Sequence, residues 1–406
     1  MVGLRTRAEL YFATLVVVLG LVRSFYFQES LWTLTPDGFS VISDRLPYWD
    51  FTNLWAGTLM ALKGNVAYLF DAEAYRQELR VILSPLLPNQ EWSYPPSMLL
   101  FGIPFATLPI FVAYLAWTLG TLFLLFLATK PLDLAWWVRL LIIVSPAAVM
   151  DVVFGQNGAL TTALLLSGLL LAPSRPIIAG ILFGLLTVKP QLGVLVPFCL
   201  LASGNYRAIL SAIVTTLCLV IATGLLFGFN VWLLFLTETR PLMTAILEAP
   251  FPQGYQMNAV TFFVLARSWG LGLAASYALQ LAASLVAIAT TLWLWRRKTA
   301  IDHWSKACLT ALLTLIAMPY GYSYDTIALN VAIAYFFCNY RGLSIFLGVA
   351  WLYPLINHHV AGLFMPLGVL IPTGLAACMI IRILWDGRSP EMEAKAVTEE
   401  FRIRAS

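Results

Sequence analysis

The sequence predicts an all-α, polytopic membrane protein of about 10–12 transmembrane helices, with amphipathic helices in its outer loops. Two observations carry this. The 406 residues are 60% hydrophobic and only 11% charged, with a mean hydropathy of +0.84, too few charges to cover a soluble protein of this size. Apolar runs of spanning length also recur from one end to the other. The first, near 9–27, is flanked by Arg5, Arg7 and Arg23 and has no small-residue cleavage site, so it reads as a retained helix.

Further runs fall near 97–128, 137–153, 157–173, 176–188, 190–203, 207–229, 272–295, 305–319, 324–339, 342–357 and 361–385. The 97–128 run is too long for one span and reads as a short helix before Pro109 followed by a full one. The 176–188 and 190–203 runs are short and meet at Lys189-Pro190, as a broken or re-entrant pair would. Net charge is +4. The basic residues gather at alternate helix ends, which reports topology and gives no reason to expect nucleic acid. With the N-terminus inside, Arg5, Arg7, Lys130, Arg139, Arg175, Arg207, Arg296, Arg297, Lys298, Lys306, Arg341, Arg382 and Arg388 all fall on the cytoplasmic side. A single transmembrane domain then occupies 1–385, with outer segments at about 28–96 and 230–271 and outer turns near 154–157, 319–325 and 357–361. A charged cytoplasmic tail covers 386–406, without a periodic apolar face.

The outer segments carry their own signals. Phe51, Leu54, Trp55, Thr58, Leu59 and Leu62 share one face of a helix from Asp50 to Leu62. Asp71 is an N-cap for a helix to Ile82. Residues 231–247 read as an interfacial helix anchored by Trp232. The five cysteines lie in or beside apolar runs without CxxC or ligand spacing, so neither a disulfide frame nor a metal site is expected. His303 and the His358-His359 pair lack acidic partners at useful spacing.

Tyr48-Trp49-Asp50-Phe51, with Asn53 and Trp55 behind, is the most informative stretch. It joins a carboxylate to aromatic rings just beyond the first membrane helix. Rings stack on sugar faces and settle at the headgroup level, and an Asp removes the proton of a hydroxyl. Such a loop suits work on a sugar delivered on a lipid. Asp50 is the candidate base, with Asp44 in reserve; its structural alternative is to cap the helix that follows. Lys189, a cation at a break in an apolar region, is the candidate partner of a phosphate, or else it snorkels to the interface. Arg240 and Arg267 could share that phosphate or be surface cations, as could Arg45. Gln156-Asn157, flanked by Gly155 and Gly158, offers amides to sugar hydroxyls or simply caps a helix. Tyr324-Asp325 is a second acidic-aromatic turn, where Asp325 either serves the site or caps the next helix. Tyr94-Pro95-Pro96 reads as structural.

The order of Tyr48-Trp49-Asp50, Asn53-Leu54-Trp55-Ala56-Gly57, Lys63-Gly64-Asn65, Tyr68-Leu69-Phe70-Asp71, Tyr94-Pro95-Pro96, Phe154-Gly155-Gln156-Asn157-Gly158, Lys189-Pro190-Gln191 and Pro319-Tyr320-Gly321-Tyr322-Ser323-Tyr324-Asp325 resembles glycosyltransferase family 87 over roughly 44–340. The resemblance implies a membrane glycosyltransferase of the GT-C fold. It implies transfer of a hexose, mannose by default, from a polyprenyl-phosphate sugar to a lipid or glycan acceptor. Inversion at the anomeric carbon, no tightly bound metal, no cofactor, and a site on the outer face of the plasma (bacterial inner) membrane are implied with it. Asp50 takes the place of the family's outer-loop catalytic Asp, while Tyr48, Trp49, Asn53, Gln156, Asn157, Tyr324 and Asp325 are expected around sugar or acceptor. The chain departs from mannosyltransferase-like relatives by Tyr324-Asp325 where those often carry His. A multi-span transporter or lipid flippase is the alternative from composition alone, against which stand the few mid-helix charges and the one-sided polar residues.

Overall fold

The computed structural model describes residues 6–296 and 301–386, and among these every extended element is a helix. Arg5, Arg297, Lys298 and Arg388, and the tail beyond 386, lie outside the described residues. Helix α1 (Arg7–Leu31) opens with a capping box in which Thr6 accepts from Glu9 N–H. The segment that follows then folds α2 (Trp49–Leu62) and α3 (Ala72–Ile82). Asp71 caps α3 as expected, accepting from Glu73 and Ala74 N–H at 3.0 Å each. The expected one-faced amphipathic pattern of α2 gives way to burial almost all round. Phe51, Thr52, Leu54, Ala56, Thr58 and Met60 are all enclosed, and only the end near Leu62 is open, because α4 covers a second side of it.

Helices α4 (Met98–Ala106) and α5 (Ile110–Ala128) divide at Pro109, as the length of that run required. Helices α6 (Trp136–Ile143) and α7 (Pro146–Phe154) meet at 44° where one straight span was expected. Pro146 opens α7, and the N–H of Ala147, which has no partner within the helix, donates to Asn330 Oδ1 at 3.1 Å. That side chain in turn donates to Trp351 O at 3.2 Å, so a buried amide satisfies the break. Next come α8 (Gly158–Leu171), α9 (Pro176–Leu185), α10 (Val196–Ser203) and α11 (Tyr206–Phe227). Between α9 and α10 the chain passes through two short 3-10 turns on either side of Lys189, the predicted break.

The 230–271 segment contains α12 (Asn230–Leu234), a π-helical turn at Phe235–Thr239 and α13 (Arg240–Glu248), then α14 (Phe262–Ser268). Helices α15 (Leu273–Leu294), α16 (His303–Ala317), α17 (Ile327–Asn339), α18 (Ser344–Leu363) and α19 (Leu370–Asp386) complete the chain. Helices α8, α16 and α17 are buried along nearly their whole length and form the core, while α1, α11 and α15 turn large aliphatic side chains outward, as lipid-facing helices do. Among the described residues five helices are long and apolar enough to cross a membrane, or six if the bent α6–α7 pair is one span. The expected ten to twelve counted apolar runs that fold as shorter, bent or interrupted helices.

One local expectation changes, and two details are added. His358-His359 lies within α18 rather than in a turn. Cys218 is exposed on α11, whereas Cys199, Cys308 and Cys338 are buried, and none of the five is joined in a disulfide. His303 packs on Trp295 with Nε2 3.2 Å from Leu170 O, a structural role.

Candidate active site

Gly155 ends α7 in the left-handed conformation, at φ 66°, which glycine adopts without strain. A side chain there would meet Phe51 Cβ at 2.5 Å. The start of α2 therefore lies directly on the α7–α8 turn, and Asp50 comes beside Gln156. Helix α5 backs the same turn: Trp117 Nε1 donates to Gln156 O at 3.0 Å, and Tyr114 OH to Val152 O at 2.8 Å.

Gly158 makes the second close approach. A Cβ on it would stand 2.2 Å from Tyr324 O and 2.8 Å from Asp151 Oδ1, so the Pro319–Asp325 turn packs on the α8 N-terminus backbone to backbone. Lys189 joins the two. Its ammonium donates to Asp325 Oδ1 at 2.5 Å and Asn157 Oδ1 at 3.1 Å, and stands 5.1 Å from the centre of the Tyr324 ring. Both members of the ion pair are nearly inaccessible, as a charge at this depth requires. The other oxygen of Asp325 accepts Tyr322 N–H at 3.1 Å. Asp325 therefore closes its own turn and pairs with Lys189, instead of capping α17, and Lys189 is paired instead of snorkelling.

The tyrosines of the turn form a run of rings. Tyr320 and Tyr322 meet edge-on at 5.1 Å, and Tyr322 and Tyr324 lie 5.5 Å apart. The 230–271 segment is stitched to them. Val260 N–H donates to Gly321 O at 3.0 Å, Ala259 pairs with Tyr322 in an isolated bridge, and Ser323 Oγ donates to Asn258 O. Leu247, Phe251 and Tyr255 pack, with Tyr320 and Tyr324, against the small cluster that contains Tyr322.

Asp50 is the one carboxyl of this group that keeps partial access to the outside. It is the second residue of α2, with Tyr48 in the cap position, so it does not spend its oxygens on the helix start. Burial pushes its pKa up to about 6, opposed by the Gln156 hydrogen bond and the charges of Arg45 and Lys189, with Asp325 adding to the rise. Burial also raises Tyr94, and the charge of Asp50 adds to that rise. The Tyr320 hydroxyl is pushed up to about 12 mainly by burial, with Asp325 and Asp50 contributing. Both phenols are thus neutral donors at physiological pH.

Six of the predicted residues come together: Asp50, Gln156, Asn157, Lys189, Tyr324 and Asp325. The others are engaged differently. Tyr48 stacks with Trp32 and Tyr114 at 6.0 and 5.4 Å. Trp49 is buried beneath Arg45, and its carbonyl receives Thr52 and Gln90. Asn53 is consumed by Glu91 O and the Tyr75 hydroxyl. Arg267 donates to Leu271 O at 2.9 Å, Arg240 is exposed at the start of α13, and Asp44 is exposed in its loop. The cations acting on Asp50 are Arg45 and Lys189. Asp151 escaped the sequence reading. It is buried and accepts from Gly158 and Ala159 N–H. An acid inside the apolar run 146–154 was the signal. Tyr94, read there as structural, adds a hydroxyl whose ionisation feels Asp50. Two buried atoms in the group have no protein partner, Gln156 Oε1 and Asn157 Nδ2. An acceptor and a donor left open beside a carboxyl fit a ligand rich in hydroxyls.

A family model described as glycosyltransferase family 87 matches residues 92–319, more than half of the chain. No curated protein and no solved structure matches. The matched segment runs from Trp92 to Pro319, which brackets Tyr94, Asp151, Gln156, Asn157 and Lys189.

Proposed function

The chain belongs to glycosyltransferase family 87 and is a membrane glycosyltransferase, and from that premise we propose that it moves a hexose, mannose by default, from a polyprenyl monophosphate carrier to a lipid or glycan hydroxyl on the outer face of the plasma membrane. Family membership sets the transporter and flippase alternative aside. The observation that carries the reading is the partly accessible Asp50 carboxyl beside the open Gln156 Oε1 and Asn157 Nδ2.

In this reading Asp50 takes the proton of the acceptor hydroxyl as its oxygen attacks the anomeric carbon. The bond from that carbon to the phosphate oxygen breaks, and the polyprenyl phosphate leaves with the electron pair, inverting the centre. A base of pKa about 6 is mostly ionised at neutral pH and still basic enough to take the proton. Gln156 and Asn157 hold sugar hydroxyls, and the Tyr324 ring offers an apolar face to the sugar. Leaving-group charge falls to Lys189 and Arg45, the cations nearest Asp50, with the neutral hydroxyls of Tyr94 and Tyr320 as further donors. Arg240 remains an approach cation on the second outer segment.

The test is transfer of labelled sugar from polyprenyl-phosphate mannose and its glucose analogue into the lipid fraction, with wild type and Asp50→Ala. Product made by the wild type and lost in the variant supports the reading. Product retained at the wild-type rate by Asp50→Ala removes Asp50 as base.

A further inference from the structure

Asn157 occupies the N-cap position of α8, a place where Asn normally turns its side chain onto the helix's own free N–H groups. Here it makes no such bond. The first two amides of α8 are taken instead by Asp151, from the preceding helix: Gly158 N–H to Oδ1 at 2.5 Å and Ala159 N–H to Oδ2 at 3.2 Å. Asp151 is 3% exposed and is held across the Gly155 turn. Relieved of capping, Asn157 gives Oδ1 to Lys189 and leaves Nδ2 buried and open.

We infer that Asp151 is a positioning residue of the transfer site: by capping α8 in place of Asn157 it frees that amide to bind a sugar hydroxyl of the substrate. The role rests on the proposed transfer reaction, and Asp151 itself touches no substrate. A carboxylate suits it because it spans two adjacent N–H groups with two oxygens and matches the positive end of the helix. Without it, the free amides of α8 recruit Asn157 Oδ1 and draw it away from Lys189.

The experiment is a double-mutant cycle on the full chain in detergent or nanodiscs, with Asp151→Ala, Asn157→Ala and the pair, read as kcat and KM for the donor. Asp151→Ala is expected to lower kcat/KM about tenfold, chiefly through KM, and the double variant to be no worse than Asn157→Ala alone, since coupled residues are non-additive. Asp151→Asn, which keeps the volume and one carbonyl acceptor, recovers part of the loss and serves if the alanine variant does not fold. Hydrogen exchange over 155–161 provides a readout that needs no substrate. The Gly158 amide, at a position that an N-cap side chain does not reach, exchanges faster in Asp151→Ala and as in wild type in Asn157→Ala. Additive losses in the cycle overturn the inference, as does exchange unchanged by loss of Asp151. Absence of transfer by the wild type itself counts against the proposed reaction, and exchange then decides the capping alone.

Discussion

Lys189 and Asp325, 136 positions apart in sequence, form a buried ion pair with Nζ 2.5 Å from Oδ1. The pair fastens the break between α9 and α10 to the turn before α17. Through Asn157 it also reaches the start of α8. The site is thus assembled where three chain interruptions meet at helix ends.

Removing one partner of that pair leaves an uncompensated buried charge. Lys189→Met and Asp325→Asn are each expected to cost about 3–5 kcal/mol of stability, and the double variant less than their sum. Thermal unfolding of the four proteins in one detergent checks this. Additive losses would mean that the two charges do not depend on each other.

Asp50→Asn is expected to lower the transfer rate by about 10²–10⁴-fold, the range for loss of a positioned base. It should at the same time stabilise the fold. The carboxyl has a raised pKa when folded, so its favourable contribution is full below about 4 and is lost as pH rises through about 6. Above that, the buried charge is a liability on the order of 1–2 kcal/mol after allowance for its partial access. The variant should therefore unfold at a higher temperature than wild type at pH 7.5, with the gap closing toward pH 4.

The same titration predicts the pH profile. With Asp50 acting as base, kcat/KM falls on the acid side with an apparent pKa near 6. A rate flat from pH 5 to 8 would show that no group of that pKa is required.

Gly158→Ala would drive a methyl against Tyr324 O, a backbone atom that cannot swing aside. A cost of about 1–3 kcal/mol is expected, with loss of activity because the tyrosine turn is pushed off the α8 start. Gly254→Ala, where nothing stands near the added methyl, is the control. Equal behaviour of the two variants in unfolding and transfer assays would refute the close-packing account.

Much was legible beforehand. Composition determined the all-helical membrane class, because so few charges cannot clothe a soluble surface of this size. Proline and glycine marked the breaks at Pro109 and Lys189-Pro190, and Asp71 its cap, because those signals act through the backbone within a few residues. Unusual polar residues at apolar edges pointed to Asp50, Gln156, Asn157, Lys189, Tyr324 and Asp325. Only the tertiary structure decided how each is used. Asn53 is spent on Tyr75 and Glu91, Trp49 is buried, and the 44° bend turns α7 so that Asp151 caps α8. Those outcomes depend on which helices meet. Partners chosen across tens to hundreds of residues, at glycines where backbones nearly touch, leave no local period or cap for a sequence to display.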